Sequence, residues 1–162
     1  MNDVILAKVE LSKKKCDSHL EKMNKASVGL KPVFPLTEHA LKNLADETVT
    51  LLDQFLYRFM KLQDAMGTRF IPVIAGLIIG NNDPRPFIDN LNILEKNGAI
   101  DSAEKWQELR NLRNRLAHEY PDDIGQTADA FNMLMTEWTY LRDMYLSIKG
   151  YFDQRLATDK HR

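Results

Sequence analysis

Cysteine is almost missing from this chain: Cys16 is the only one in 162 residues. A single thiol excludes an internal disulfide and any zinc cage built on cysteine, and it fits a reducing compartment. Glycine and proline are scarce too, at seven and six residues. Combined with long segments of apolar residues at 3–4 spacing, that scarcity predicts an all-helical chain. Neither sign of charge dominates, since 22 basic and 23 acidic residues leave a net charge of −1. Bulk attraction to nucleic acid is thereby excluded, and any RNA contact must come from a local patch. Long hydrophobic runs are also lacking. The greasiest stretch, 70–79, is ten residues long and contains Pro72 and Gly76, about half of what a membrane span needs. Met1-Asn2-Asp3-Val4-Ile5-Leu6 runs straight into a charged segment without a signal-peptide layout. A cytoplasmic protein with no membrane partner is expected.

What is present is helical periodicity. A first helix is expected over about 2–27, with Val4, Ile5, Val9, Cys16, Leu20 and Met23 as its apolar stripe and Lys13, Lys14 and Lys15 on a solvated face. Gly29, Pro32 and Pro35 mark a loop. Thr37 then caps a second helix running to about residue 66, with Leu41, Leu44, Thr48, Leu51, Leu52, Phe55, Phe59 and Leu62 at 3–4 spacing. Asp53, Arg58, Lys61, Gln63 and Asp64 form its charged opposite side. Gly67 and Pro72 predict a kink, after which 71–79 is buried helix. Pro86 begins a short helix that Asn97-Gly98 closes. Ser102 caps the next helix, which ends near Ala117 or His118, and Pro121 turns Tyr120 away from helical angles. Asp122 or Asp123 caps a last helix reaching about residue 157, with Phe131, Leu134, Trp138, Leu141, Tyr145 and Ile148 inward; residues 158–162 form a frayed tail. The expectation is one domain, 1–162, folded as an antiparallel four-helix bundle with an additional short helix.

The polar chemistry collects in Arg113-Asn114-Arg115-Leu116-Ala117-His118-Glu119-Tyr120. At 100° per residue, Leu109, Leu112 and Leu116 form a core seam, while Arg110, Asn114 and His118 line up opposite it. Arg113 and Arg115 flank that line, and no acid falls between Arg110 and His118. Arginine can hold a phosphate through two parallel hydrogen bonds, and histidine can exchange protons near neutral pH. Cleavage of RNA through its 2′-hydroxyl needs both a base and an acid, yet one chain offers a single suitable histidine. A two-fold dimer would supply the second. Arg113 and His118 lie about 140° apart on an ideal helix, so three routes to a shared phosphate are open. The helix end unwinds near Ala117, the arginine reaches around, or a second copy contributes one of the pair. The plain alternative is a soluble helix face whose terminal histidine caps the helix dipole.

Arg113-x4-His118-x-Tyr120, with Asn114 directly after the arginine, resembles the signature of HEPN domains. In particular it looks like the HepT-like toxins of bacterial toxin–antitoxin pairs. The resemblance implies an all-helical homodimer whose cleft is a metal-independent ribonuclease site, with Arg113, Asn114 and His118 carrying cleavage. Arg110 and Tyr120 would then bind the RNA substrate. It also implies a cognate minimal nucleotidyltransferase antitoxin that can adenylylate Tyr120. A second reading is a non-catalytic module that presents nucleotide or substrate to a companion nucleotidyltransferase. Neither metal nor cofactor is expected, because His19, His39 and His161 have no partner at ligand spacing and no Gly-rich phosphate loop exists. Trp106 and Trp138 are expected to anchor the core or an interface rather than stack bases.

Overall fold

A computed structural model describes residues 2–118 and 123–156, and every regular element among them is helical. Asn2 opens α1 (Asp3–Leu30) by accepting the Val4 N–H at 2.8 Å. Val9, Ser12, Cys16, Leu20, Met23, Ala26 and Leu30 are buried, and their steps of three and four put one face inward. The helix outlasts its expected end at 27 because Leu30 is fully buried and draws the last turn through Gly29. Val4, expected on the stripe, is exposed; it lies a full turn before the first buried residue.

The expected second helix is two helices. Thr37 caps α2 (Glu38–Lys42) as anticipated, accepting the Ala40 N–H at 3.0 Å. Asn43 then stops it, because its side-chain amide donates to the His39 carbonyl at 2.8 Å and satisfies a helix-end acceptor. α3 (Asp46–Ala65) restarts with Asp46 and Glu47 in its first turn, where the helix dipole favours negative charge.

The predicted kink near Gly67 and Pro72 takes a particular form. The chain widens into a π-helical turn (Met66–Phe70), closed by the Ile71 N–H on the Met66 carbonyl, and continues as α4 (Ile71–Ile79). Pro72 lacks an N–H and would crowd the preceding turn of a regular helix. One wider turn absorbs it without breaking the rod. The resulting helix, 46–79, is long and apolar enough by length and composition to cross a membrane, and 44% of its most apolar window is buried within the protein. Phe55, Phe59, Leu62, Met66, Phe70, Ile71 and Ile74 supply that burial, with α1 packed alongside.

α5 (Phe87–Lys96) follows, with Pro86 at the N-cap rather than inside the helix, and Gly98 adopts φ +77° just beyond the end. α6 (Ala103–Ala117) and α7 (Ile124–Tyr151) pack against each other. Ser102 and Asp123 cap them through the Lys105 and Gln126 N–H groups. Lys105 joins the pair, reaching Glu137 at 2.6 Å and lying over the Tyr140 ring. Asp122, expected as an alternative cap, and the frayed tail expected at 158–162 lie outside the described residues.

Tyr145 of α7 is fully buried against Phe70, and its hydroxyl donates to Asp17 Oδ1 at 2.6 Å. Lys149 pairs with the same carboxylate at 3.0 Å. Next to Asp17, Cys16 is fully buried, and burial first, then the Asp17 charge, push its thiol from 9.0 up to about 12. The unfolded chain therefore sheds this proton near pH 9 while the folded chain retains it. The stabilisation is complete below about pH 9 and declines as pH rises toward about 12. Cys16→Ala removes that titration. Its urea unfolding midpoint should fall less than the wild type's between about pH 8 and about pH 10; equal declines would contradict a buried neutral thiol.

Candidate functional site at the end of the sixth helix

The seam of α6 is as the periodicity predicts: Trp106, Leu109 and Leu112 are buried and Leu116 is half-buried. Fixing that side inward turns the polar face outward. Asn114 and His118 are exposed, and Arg110 and Arg113 are partly covered. The helix ends at Ala117, and His118 already has extended angles, φ −86° and ψ 131°. The helix end thus unwinds after Ala117, the backbone change that the first of the three expected routes supposes. The two side chains nonetheless remain apart in their bonding. Arg113 turns onto a neighbouring helix, whereas His118, among the described residues, makes no hydrogen bond or ion pair. Tyr120, expected as a binding and modification site, lies outside the described residues.

Asp64 receives the arginines. Its Oδ1 accepts Arg110 Nη1 at 3.3 Å, and its Oδ2 accepts Arg113 Nη2 at 3.4 Å. Both distances exceed the 2.7–2.9 Å usual for a charge-assisted pair. With 25–39% of these side chains exposed, each pair contributes no more than about 1 kcal/mol. Asp64 thus orients two guanidiniums while leaving a surplus positive charge and most of their ten N–H donors unused. Arg113 also keeps its Nε buried and, among the described residues, without a partner. Arg115 does not join this group; it faces α7, 3.8 Å from the Met133 sulfur. Arg58, on α3, instead reaches His19 Nδ1 at 3.0 Å. Desolvation first, and Arg58 second, lower the His19 pKa.

Against known proteins the chain matches no family model, no curated sequence and no solved structure. The site must be read from its own chemistry.

One residue was assigned to the wrong side of its helix by the sequence pattern. Gln63, expected among the charged positions of α3, is fully buried, and among the described residues neither its amide nitrogen nor its amide oxygen has a partner. Its place four residues after Phe59 and three before Met66 is the available signal, because that spacing belongs to the core stripe. Each unpaired buried polar atom costs about 1–3 kcal/mol, so a Gln here is a local defect in packing terms. It borders a cleft of about 320 Å³ whose walls also include Asp64, Gly67, Trp106 and Arg110. Gly67 allows a close approach: a Cβ there would stand 3.2 Å from the Trp106 ring, which would have to give by a few tenths of an ångström. The widened turn thus lets α6 settle against α3 beside the two arginines.

Asp64→Asn removes the charge that holds Arg110 and Arg113. Stability should change by less than about 1 kcal/mol, while the Arg113 Nε–H, followed by NMR, exchanges with water several-fold faster. An unchanged exchange rate would mean that Asp64 does not position the arginine.

Proposed function

We propose that this protein is a metal-independent endoribonuclease that acts as a homodimer, with a HEPN-like four-helix bundle presenting Arg113, Asn114 and His118 at the cleft between two subunits. The observation carrying this reading is the layout at the end of α6. Arg113 is steered by Asp64, Asn114 faces solvent next to it, and His118 has left the helix in extended geometry with an imidazole that is unbonded among the described residues. In the reaction the RNA 2′-oxygen forms a bond to the adjacent phosphorus as the bond to the 5′-oxygen breaks. One imidazole takes the 2′-hydroxyl proton, and the other, protonated, gives a proton to the departing 5′-oxygen. Arg113, aided by Arg110, balances the charge spread over the phosphoryl oxygens. Asn114 orients the phosphate or ribose. Because each chain has one such histidine, two copies are needed to fill both roles.

The same reading extends to regulation in the cytoplasm. Tyr120, two residues past His118, is the target for adenylylation by a cognate nucleotidyltransferase antitoxin. A phosphodiester there would add negative charge beside the arginines and repel the RNA backbone.

A second reading draws on the Asp64 contacts. A carboxylate already resting on both guanidiniums offsets charge that would stabilise a phosphoryl group during cleavage, which suits a module that binds nucleotide for a companion nucleotidyltransferase without cutting RNA. The two readings part in one assay. Purified protein is incubated with RNA in EDTA beside His118→Ala and Arg113→Ala, and its mass in solution is measured. The ribonuclease should cleave as a dimer, and each substitution should slow it by about 100-fold or more. Equal inactivity of all three proteins would leave the binding module standing and remove the nuclease.

A further inference from the structure

We infer that the cleft between α3 and α6 is a nucleobase-binding subsite, read by the buried amide of Gln63, for a nucleotide adjoining the phosphate held by Arg110 and Arg113. The inference rests on the proposed RNA substrate for its biological meaning, but Gln63, Gly67, Phe87 and Trp106, which form the subsite, lie outside the proposed catalytic set. A buried side chain with both a donor and an acceptor unpaired is costly in an apolar core, where a leucine would pack as well. An amide edge is also the shape that matches a base edge, because one N–H donor and one C=O acceptor lie side by side. The surrounding walls fit a flat ring. Phe87 is half-buried beside Trp106, with ring centroids 5.6 Å apart, and Gly67 leaves the space that a side chain would fill. The volume, about 320 Å³, is at the small end of ligand clefts. Arg110 stands in the wall of the same cleft and pairs with Asp64, as Arg113 does. A base in the cleft therefore places its own phosphate toward the guanidiniums. Trp106 remains a core anchor; its benzo edge, which faces Gly67, serves as a wall rather than a stacking platform.

Two other features of the molecule are explained without a ligand. The polar group around Asp17, Tyr145 and Lys149 is internally satisfied, and the unpaired Nε of Arg58 belongs to a guanidinium already held by His19.

The probes are the 3′-monophosphates of adenosine, guanosine, cytidine and uridine, titrated into the full chain. Binding is followed on the Trp106 indole N–H signal, assigned with Trp138→Phe. At least one nucleotide should shift that signal. Gln63→Leu, close in volume and apolar, should bind it at least about tenfold more weakly while unfolding at the same or a higher urea concentration. Gln107→Phe, at the exposed mouth of the cleft, should weaken binding without touching the core, and it serves if the leucine variant does not fold. Failure of all four nucleotides to move the Trp106 signal overturns the subsite, as does undiminished binding by Gln63→Leu. RNA cleavage without nucleotide binding would remove this subsite alone; nucleotide binding without cleavage would keep it and remove the nuclease.

Discussion

Two guanidiniums sharing one carboxylate is the constraint around which the polar side of this protein is arranged. Asp64 lies at the end of α3, and Arg110 and Arg113 come from α6, so the contact fixes how the two helices meet at that corner. The pairs are long and partly solvated, which makes them weak as stabilising contacts. Their weight is geometric. A carboxylate that directs two cations without saturating them keeps both near one point at small cost in free energy. Beyond that point the helix ends and His118 leaves its spacing, which turns a regular helix face into a corner where groups from different directions can meet.

Much of the architecture could be read from residue spacing. Ser102, Thr37 and Asp123 act as caps because short polar side chains before an apolar run have few other local uses. The inward residues of α6 and α7 follow the 3.6 period closely. The break at Asn43 was not legible, since it depends on a side chain preferring the His39 carbonyl to solvent. The extension of α1 to Leu30 depends on what lies beneath Leu30, and spacing within one helix cannot report a neighbour.

The candidate site divides along the same line. Arg113, Asn114 and His118 stand out in the sequence because they cluster on a helix without acids between them. Asp64 could be placed only on the charged side of its own helix, and its double role needs the α3–α6 crossing. Gln63 was hidden for a different reason. Residue type assigned it to the polar face while its register belonged to the core, and type is the weaker of the two signals when an amide is held for binding rather than for solubility.

The widened turn at Met66–Phe70 has a consequence for how this corner could arise or vanish. A π-helical turn holds one residue more than the α-helical turn it replaces. Excising a single codon within it would restore ordinary winding and rotate everything upstream by about 100° relative to α4. Gln63 and Asp64 would then swing off the α6 side together. Loss of one codon, that of Met66, Arg69 or Phe70, thus separates a plain structural rod from one that carries this corner, with every residue that lines the cleft retained.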